Sequence, residues 1–270
     1  MAADTRGLVG RQYPSFLRDI MVAAQMLRRH RLGATAGHAA IIALRRLHSV
    51  LFDRPLQDGL PHPLHRQSLL DGLKLRTSRA GEEDAGAPCS PVPCKTLDWA
   101  IRGAGIDPAA WHFVDIGSGT GWGLQVALRH PFRAFTGVEF AEELHQKACD
   151  NIAWLTARRR TQDRPVDLLH ESALETELPA GPCVLLMFSP FDERIMRPFV
   201  TRIERSITEN PRPIVVLYVN PSYGDVFMRP GVHELAMSPY YKSLIRFLSP
   251  YAVRAFRFGP KAAIRTLRRE

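Results

Sequence analysis

Lysine is scarce in this chain of 270 residues: five of its 36 basic residues are lysine, and the others are arginine. The formal net charge of +9 would suit a phosphate-rich partner, because a basic surface attracts anions and releases their counterions. A strong bias to arginine, however, also follows from GC-rich coding and requires no such partner. The charge alone therefore does not establish binding to nucleic acid or to a membrane surface.

Cysteine is also scarce, and none of the four cysteines has the two-residue spacing that lets one loop present two thiolates to zinc. We therefore expect reduced, structural cysteines and no metal site. The apolar stretch at residues 16–27 contains Arg18 and Asp19, is too short to span a bilayer, and does not have the form of a signal peptide. We expect a cytoplasmic protein with no stable membrane insertion.

Apolar residues recur at helical spacing over residues 15–52, with a break at residues 33–37, and this predicts two amphipathic helices. We expect them to pack on the main domain with their arginines in solvent; the alternative is that they bind RNA or lie on a membrane. Residues 77–93 lack apolar periodicity and are dense in Gly, Pro and acidic residues, which indicates a mobile connector or a lid. These patterns predict an N-terminal helical extension with its connector over residues 1–93 and a main domain over residues 94–270.

Strand and helix patterns alternate in the main domain. The predicted strands are His112–Ile116, Ala134–Glu139, Val166–His170, Cys183–Phe188 and Ile214–Val219. The predicted helices are Thr96–Gly103, Gly123–Arg129, Ala141–Arg158 and Asp192–Thr208. Several strand patterns are apolar throughout, as in strands that are buried on both faces of a parallel sheet. The alternation predicts a doubly wound α/β domain.

Two further apolar runs stand near the C-terminus, at Val253–Phe258 and Ala262–Leu267. Gly259 and Pro260 separate them, and such a pair is typical of a turn. We therefore predict a C-terminal antiparallel hairpin.

The strongest chemical signal is FVDIGSGTGWG at residues 113–123, where a hydrophobic strand ends in Asp115 and is followed by alternating glycines. Glycines at such positions let the backbone turn sharply into a helix and approach a ligand closely. Dinucleotide-binding folds require G-x-G-x-x-G, but the sixth position here is Trp122. Asp115 would moreover repel a pyrophosphate, whereas it could accept a hydrogen bond from an ammonium group or orient bound water.

On these residues the chain resembles the class I methyltransferase family, whose first motif is an acidic residue followed by G-x-G-x-G at the end of the first strand. The resemblance covers roughly Thr96 to the C-terminus. It implies a Rossmann-like methyltransferase sheet that binds S-adenosyl-L-methionine as its cofactor. The cofactor-binding residues that it implies at this turn are Asp115, Gly117, Ser118, Gly119 and Gly121.

The resemblance implies two further cofactor contacts. An acidic residue that ends the second strand binds the ribose hydroxyls in the family, and TGVEF places Glu139 there. A carboxylate can accept from both hydroxyls at once. A polar residue after the third strand contacts the adenine amino group. Ser172 stands at the matching position in place of the usual acid, and the neighbouring Glu171 is the alternative.

Family members that methylate nitrogen have Asn or Asp, then Pro-Pro and an aromatic residue, after the fourth strand. This chain has Ser189, Pro190 and Phe191, which are the candidate catalytic residues on this partial match. A second sequence, NPSY at Asn220–Tyr223, is closer to that signature in its letters but follows the fifth strand. We therefore predict Asn220–Tyr223 as a wall of the substrate pocket or a turn.

Methyl transfer from a sulfonium is an in-line displacement, which requires alignment of the reacting atoms and no metal. The resemblance therefore predicts methyl transfer to a nucleophile, above all nitrogen, of a small molecule or a protein side chain. One alternative is an RNA methyltransferase that holds phosphates with its N-terminal arginines. The other is a cofactor-binding module without catalysis, because serines stand at positions 172 and 189. The sequence indicates neither the acceptor nor the oligomeric state.

Overall fold

The computed structural model describes residues 91–259, so the predicted N-terminal helices and the predicted strand at residues 262–267 lie outside the described residues. The strands are β1 (His112–Ile116), β2 (Ala134–Glu139), β3 (Val166–His170), β4 (Cys183–Phe188), β5 (Ile214–Val219), β6 (His233–Glu234) and β7 (Val253–Phe258). The α-helices are α1 (Cys94–Gly103), α2 (Trp122–Ala127), α3 (Glu142–Ala157), α4 (Glu193–Glu209) and α5 (Pro239–Leu248). Among these helices none has both the length and the apolar character needed to cross a membrane. The division of the chain into residues 1–93 and 94–270 stays a prediction.

The strands form one sheet in the order β3-β2-β1-β4-β5-β7-β6. The first five strands are parallel to their neighbours. The five predicted strands are confirmed with their bounds, and the predicted helices begin and end within two residues of those observed. The predicted doubly wound α/β fold is therefore confirmed.

The sheet ends in antiparallel strands, as predicted, but β7 has different partners from those of the expected hairpin. It pairs with β5 in a register that runs from Ile214 opposite Phe258 to Val219 opposite Val253. Its other neighbour is the short strand β6, which precedes it in the chain. The chain reaches β7 through α5 and reverses its direction there, so β7 is antiparallel to β5.

The core lies on both faces of the sheet because side chains alternate along each strand. On one face, Phe113 and Leu186 belong to a buried cluster with apolar residues of α1, α2 and α5. On the other face, Ile116 and Leu185 are buried with apolar residues of α4. All six residues of β5 are buried. This pattern is why the strands appear as apolar runs in the sequence.

The order of the strands reverses between β1 and β4, since β2 and β3 extend the sheet on one side and β5 on the other. In open α/β sheets, ligands bind outside the carboxyl ends of the strands at such a switch point. The segments that follow β1 and β4 therefore form the expected binding edge.

A charged cluster around Asp98 ties α1 to the segment after α2. The Asp98 carboxylate accepts from Arg102 Nε at 3.0 Å and from Lys95 Nζ at 3.2 Å, and His130 Nε2 lies 3.2 Å from it. Burial by itself would raise the pKa of Asp98, but its contacts with His130, Arg102 and Lys95 outweigh burial and hold the pKa well below its usual range. The folded state therefore favours ionised Asp98.

We predict that Asp98→Asn lowers the free energy of unfolding at pH 7 by about 1–3 kcal/mol, because it removes charge-assisted hydrogen bonds. The loss should shrink in solutions more acidic than the ordinary aspartate pKa of 3.8. The matched control is Arg102→Gln, which removes an exposed partner of the same carboxylate and should cost under about 1 kcal/mol. Urea unfolding followed by circular dichroism measures both variants, and equal losses would contradict the central role of Asp98.

Candidate functional site

The turn between β1 and α2, Gly117–Gly121, depends on glycine in a left-handed conformation. The φ angles of its three glycines lie between 55° and 74°, a region that other residues rarely adopt. The amides of Gly117 and Ser118 both donate to the carbonyl of Val138 at 2.9 Å. The turn is therefore attached to the end of β2.

Glu139 ends β2, and its carboxylate connects the glycine turn to the start of α3. Its Oε2 accepts from Gly119 N and its Oε1 from Ala141 N, both at 2.8 Å. The residue is 8% exposed, and burial raises its pKa although these amides oppose the rise. The amide of Phe140 also hydrogen-bonds this carboxylate, and one of its four lone pairs then remains for a hydroxyl group of a ligand.

Asp115 lies beneath the first turn of α2. Its Oδ2 approaches Gly123 so closely that a Cβ at that position would collide with it, and the carboxylate also accepts from the backbone of Leu124. Burial, followed by repulsion from Glu139, raises the pKa of Asp115 to about 7. Within residues 91–259 no ion pair neutralises this carboxylate.

The carboxyl groups of Asp115 and Glu139 lie together at the binding edge, and burial raises the pKa of each. A ligand cation beside them would stabilise their ionised forms, whereas a pyrophosphate would be repelled. The ammonium and sulfonium groups of S-adenosyl-L-methionine fit this donor set, and the bare backbone of the glycine turn leaves room for the ligand. The residues present therefore suit this cofactor better than a dinucleotide.

Ser172 is buried in the turn after β3, where its polar groups shape the turn. Its Oγ accepts from Leu174 N at 3.2 Å, and its carbonyl accepts from Thr176 Oγ1 at 3.0 Å. The neighbouring Glu171 is half-buried. Contact of either Glu171 or Ser172 with adenine stays a prediction.

Two histidines that the sequence analysis did not single out lie near Glu139. His170 is the register partner of Glu139 in the sheet, and its Nε2 lies 3.0 Å from the carbonyl of Phe140. Its ring stacks on that of His145 from α3, with centroids 5.2 Å apart. Only the pairing of β2 with β3 and the packing of α3 bring these residues together, so no local motif marks them.

Asn151 is a further residue that the sequence analysis missed. It is fully buried, and its Nδ2 donates to the carbonyl of Thr120 in the glycine turn at 2.9 Å. A sequence signal existed, because Asn151 interrupts an apolar stripe on α3 formed by Leu144, Ala148, Ile152 and Leu155. A polar residue on the buried face of a helix usually has a specific partner.

The loops that follow β4 and β5 meet beside the glycine turn. Pro190 packs against Gly117, where a Cβ would stand 2.8 Å from Pro190 Cβ. Ser189 Oγ donates to the main-chain carbonyl of Asn220, and Asn220 Nδ2 donates back to Ser189 Oγ at 3.0 Å. The structure thus joins the candidate catalytic Ser189 to Asn220, which we had expected to form a pocket wall or a turn.

Aromatic residues flank the loop after β4 on both faces of the sheet. Phe191 packs edge-on against Phe199 of α4, with centroids 5.8 Å apart, as part of the core on that face. On the opposite face, Phe188 contacts Tyr251 edge-on at 5.0 Å, and both rings are half-buried. Stacking of Phe191 on a substrate stays a prediction, and Phe188 with Tyr251 forms an aromatic wall that the sequence did not indicate.

No family model matches the chain, and no curated protein matches it in sequence. Similar solved structures include an RNA methyltransferase from Salinibacter ruber in complex with S-adenosyl-L-homocysteine, at 15% identity and a TM-score of 0.40 over 63% of this chain and 93% of that one. A ribosomal protein L11 methylase from Lactobacillus delbrueckii subsp. bulgaricus is similar at 11% identity and 0.40, over 60% and 78%. A protein of the NADB-Rossmann superfamily from Streptococcus agalactiae is similar at 13% identity and 0.41, over 61% and 68%.

The chain's own strand order and glycine turn define a Rossmann-like α/β domain. Structures similar to it include methyltransferases, and one of them was crystallised with S-adenosyl-L-homocysteine.

We predict that Asp115→Asn makes the ligand-free protein more stable, and increasingly so as the pH rises. The folded-state pKa of about 7 lies above the ordinary value of 3.8, so ionisation of Asp115 opposes folding, and stability is lost as the pH rises from 3.8 to about 7. The gain of the variant over the wild type should therefore increase by about 2–3 kcal/mol between pH 5 and pH 8.

Urea unfolding at several pH values measures this gain. Asp107→Asn is the matched control, because Asp107 is exposed and should show no such trend. If the gain in stability of Asp115→Asn is the same at every pH, the pKa of Asp115 is not raised in the folded protein.

Proposed function

We propose that residues 94–270 bind S-adenosyl-L-methionine and transfer its methyl group to a nucleophile of a small molecule or a protein side chain, with nitrogen as the expected acceptor atom. The observation that supports this most directly is the hydrogen bond from Gly119 N to Glu139 Oε2 at the switch point of the sheet. It places a turn of bare backbone beside a carboxylate that can still accept a hydrogen bond from a ligand. The glycine turn and the Glu139 carboxylate together suit a ligand that has a ribose at one end and positively charged groups at the other.

Each part of the cofactor has a proposed partner. Glu139 accepts from a ribose hydroxyl, the turn Gly117–Gly121 lies along the amino-acid portion, and Asp115 attracts the ammonium group directly or through bound water. Ser172 or Glu171 contacts the adenine. A cationic ligand would stabilise the ionised forms of Asp115 and Glu139, whose pKa values burial raises, whereas an anionic nucleotide would not.

Bound S-adenosyl-L-methionine supplies a methyl group that the sulfonium charge makes electrophilic. The task of the protein is to hold the acceptor in line with that methyl group. Pro190 packs on Gly117, so the loop after β4 stands next to the cofactor bed. Ser189 in that loop offers a hydroxyl group to the acceptor, and the half-buried Phe188 and Tyr251 provide an apolar wall. Sites for small ligands are usually lined by apolar side chains and contain a few polar groups that orient the ligand.

The distribution of charge supports a small-molecule or protein acceptor more than RNA. Residues 91–259 contain 19 Lys and Arg against 18 Asp and Glu, so most of the net positive charge is on residues 1–90 and 260–270. An RNA acceptor would depend on those flanking arginines, and its binding would weaken steeply with salt. A module without catalysis would not need the contact between Ser189 and Asn220 beside the cofactor bed.

We predict that the full-length chain binds S-adenosyl-L-methionine and that Gly119→Arg abolishes the binding, because a long side chain at this left-handed position fills the cofactor bed. Glu139→Gln should weaken binding about tenfold or more, since its amide group would replace an acceptor oxygen. Isothermal calorimetry measures the affinities, and thermal unfolding confirms that the variants fold. Glu142→Gln, an exposed site at the start of α3, is the matched control. Unchanged affinity in both site variants would reject the site.

We also predict the class of acceptor. When lysate fractions are incubated with methyl-labelled cofactor, the label should survive nuclease treatment, because the described domain lacks a strong excess of basic residues. Protease treatment then separates protein acceptors from small molecules. Label that is lost with nuclease and retained with protease would show an RNA acceptor and contradict the proposal.

A further inference from the structure

We infer that Asn220 and Ser189 together form a two-loop acceptor site for a nitrogen atom that bears N–H groups. This inference rests on the proposed function and specifies the chemical class of its acceptor. The loop after β4 provides the hydroxyl group, and the loop after β5 provides the amide that position 189 lacks. Neither loop by itself has the full set of hydrogen-bonding groups.

The hydrogen bonds determine how the Asn220 amide is oriented. Ser189 has a single hydroxyl proton, and it donates this proton to the main-chain carbonyl of Asn220. Its Oγ can then only accept from the side-chain amide, as the 3.0 Å contact with Asn220 Nδ2 shows. The amide oxygen Oδ1 is therefore directed away from Ser189. No described residue donates to Asn220 Oδ1, and the residue is half-exposed.

The backbone of both residues is held in an uncommon conformation. Ser189 has φ 43° and Asn220 has φ 53°, in the left-handed region that favours glycine. Asn220 N also donates to the carbonyl of Ala252, which fixes the loop to the segment before β7. Left-handed residues other than glycine persist where surrounding contacts enforce them, and they cluster at functional sites.

The position of this pair in the sheet agrees with a role at the methyl group. Phe188 and Val219 are register partners at the ends of β4 and β5, so Ser189 and Asn220 leave the sheet at the same level. Pro190, the next residue, packs against Gly117 of the cofactor bed. The free amide oxygen therefore belongs to the loops that border the cofactor.

The free hydrogen-bond acceptors of this site define which chemical group can receive the methyl group there. Asn220 Oδ1 and the remaining lone pair of Ser189 Oγ can accept from two N–H groups of one nitrogen, whereas a hydroxyl group has only one hydrogen to donate. The neutral nitrogen uses its lone pair to form the new bond to the methyl carbon. The sulfur–carbon bond breaks with its electron pair going to sulfur, and the methylated nitrogen then releases a proton to water.

Sinefungin tests this inference without a known substrate, because it has a primary amine on carbon in place of the S-methyl group, whereas S-adenosyl-L-homocysteine has nothing there. The measured quantity is the ratio of the two affinities from calorimetry on the full-length chain. Asn220→Gly should reduce the preference for sinefungin about tenfold and leave the affinity for S-adenosyl-L-homocysteine unchanged. Glycine suits the φ of position 220, so this variant keeps the loop conformation.

Three further variants separate hydrogen bonding from loop structure. Asn220→Asp keeps an acceptor oxygen and should retain the preference for sinefungin, whereas Ser189→Gly should reduce it. Asp107→Asn changes an exposed side chain outside both loops and should have no effect. If Asn220→Gly leaves the ratio of affinities unchanged, the two-loop acceptor site is wrong while cofactor binding stands. If the wild type binds neither ligand, the proposed function fails, and the inference fails with it.

Discussion

The hydrogen bond between Gly119 N and Glu139 Oε2 is the contact on which the binding edge depends. It joins the turn after β1 to the end of β2 and keeps the carboxylate buried and oriented. Gly119 in the turn can donate this hydrogen bond because the glycines of the turn adopt left-handed backbone angles. Without the contact, a buried carboxylate would lose a donor that offsets its desolvation, and the glycine turn would lose its attachment to the second strand.

Burial of two carboxylates in one place opposes folding, and that cost bears on function. The pKa of Asp115 is raised by burial and by repulsion from Glu139, so the ligand-free protein resists ionisation of this group at neutral pH. The Asp98 cluster on α1 has the opposite character, because cationic partners lower its pKa and stabilise the fold. Carboxyl groups whose ionised form is disfavoured by burial are often found at ligand-binding sites. Carboxylates that are paired with cations, such as Asp98, instead connect structural elements.

Strands β1 to β5 could be predicted from the sequence because a strand buried on both faces is an apolar run bounded by polar residues. The glycine turn and Glu139 could also be predicted, since each stands at the end of such a run. The contact between Ser189 and Asn220 could not, because it depends on β4 and β5 ending at the same level in the sheet. Tyr251 and His170 were missed for the same reason, since their partners come from other elements. Because Asn220 follows the fifth strand, its place in the sequence had suggested that it lies away from the reacting atoms. The ends of β4 and β5 are adjacent in the sheet, however, and this brings Asn220 to Ser189.

The charges at the binding edge also bear on the order of events in the proposed reaction. A cation that binds beside Asp115 favours its ionised form, so binding near neutral pH is coupled to the release of a proton. Methyl transfer would remove the sulfonium charge, whereas the ammonium group beside Asp115 would persist in the product. Because the pKa of Asp115 is about 7 in the ligand-free protein, this carboxyl group would take up a proton in part of the molecules once the ligand leaves. The same buried carboxylate that opposes folding would therefore be favoured in its charged form only while a cationic ligand is bound.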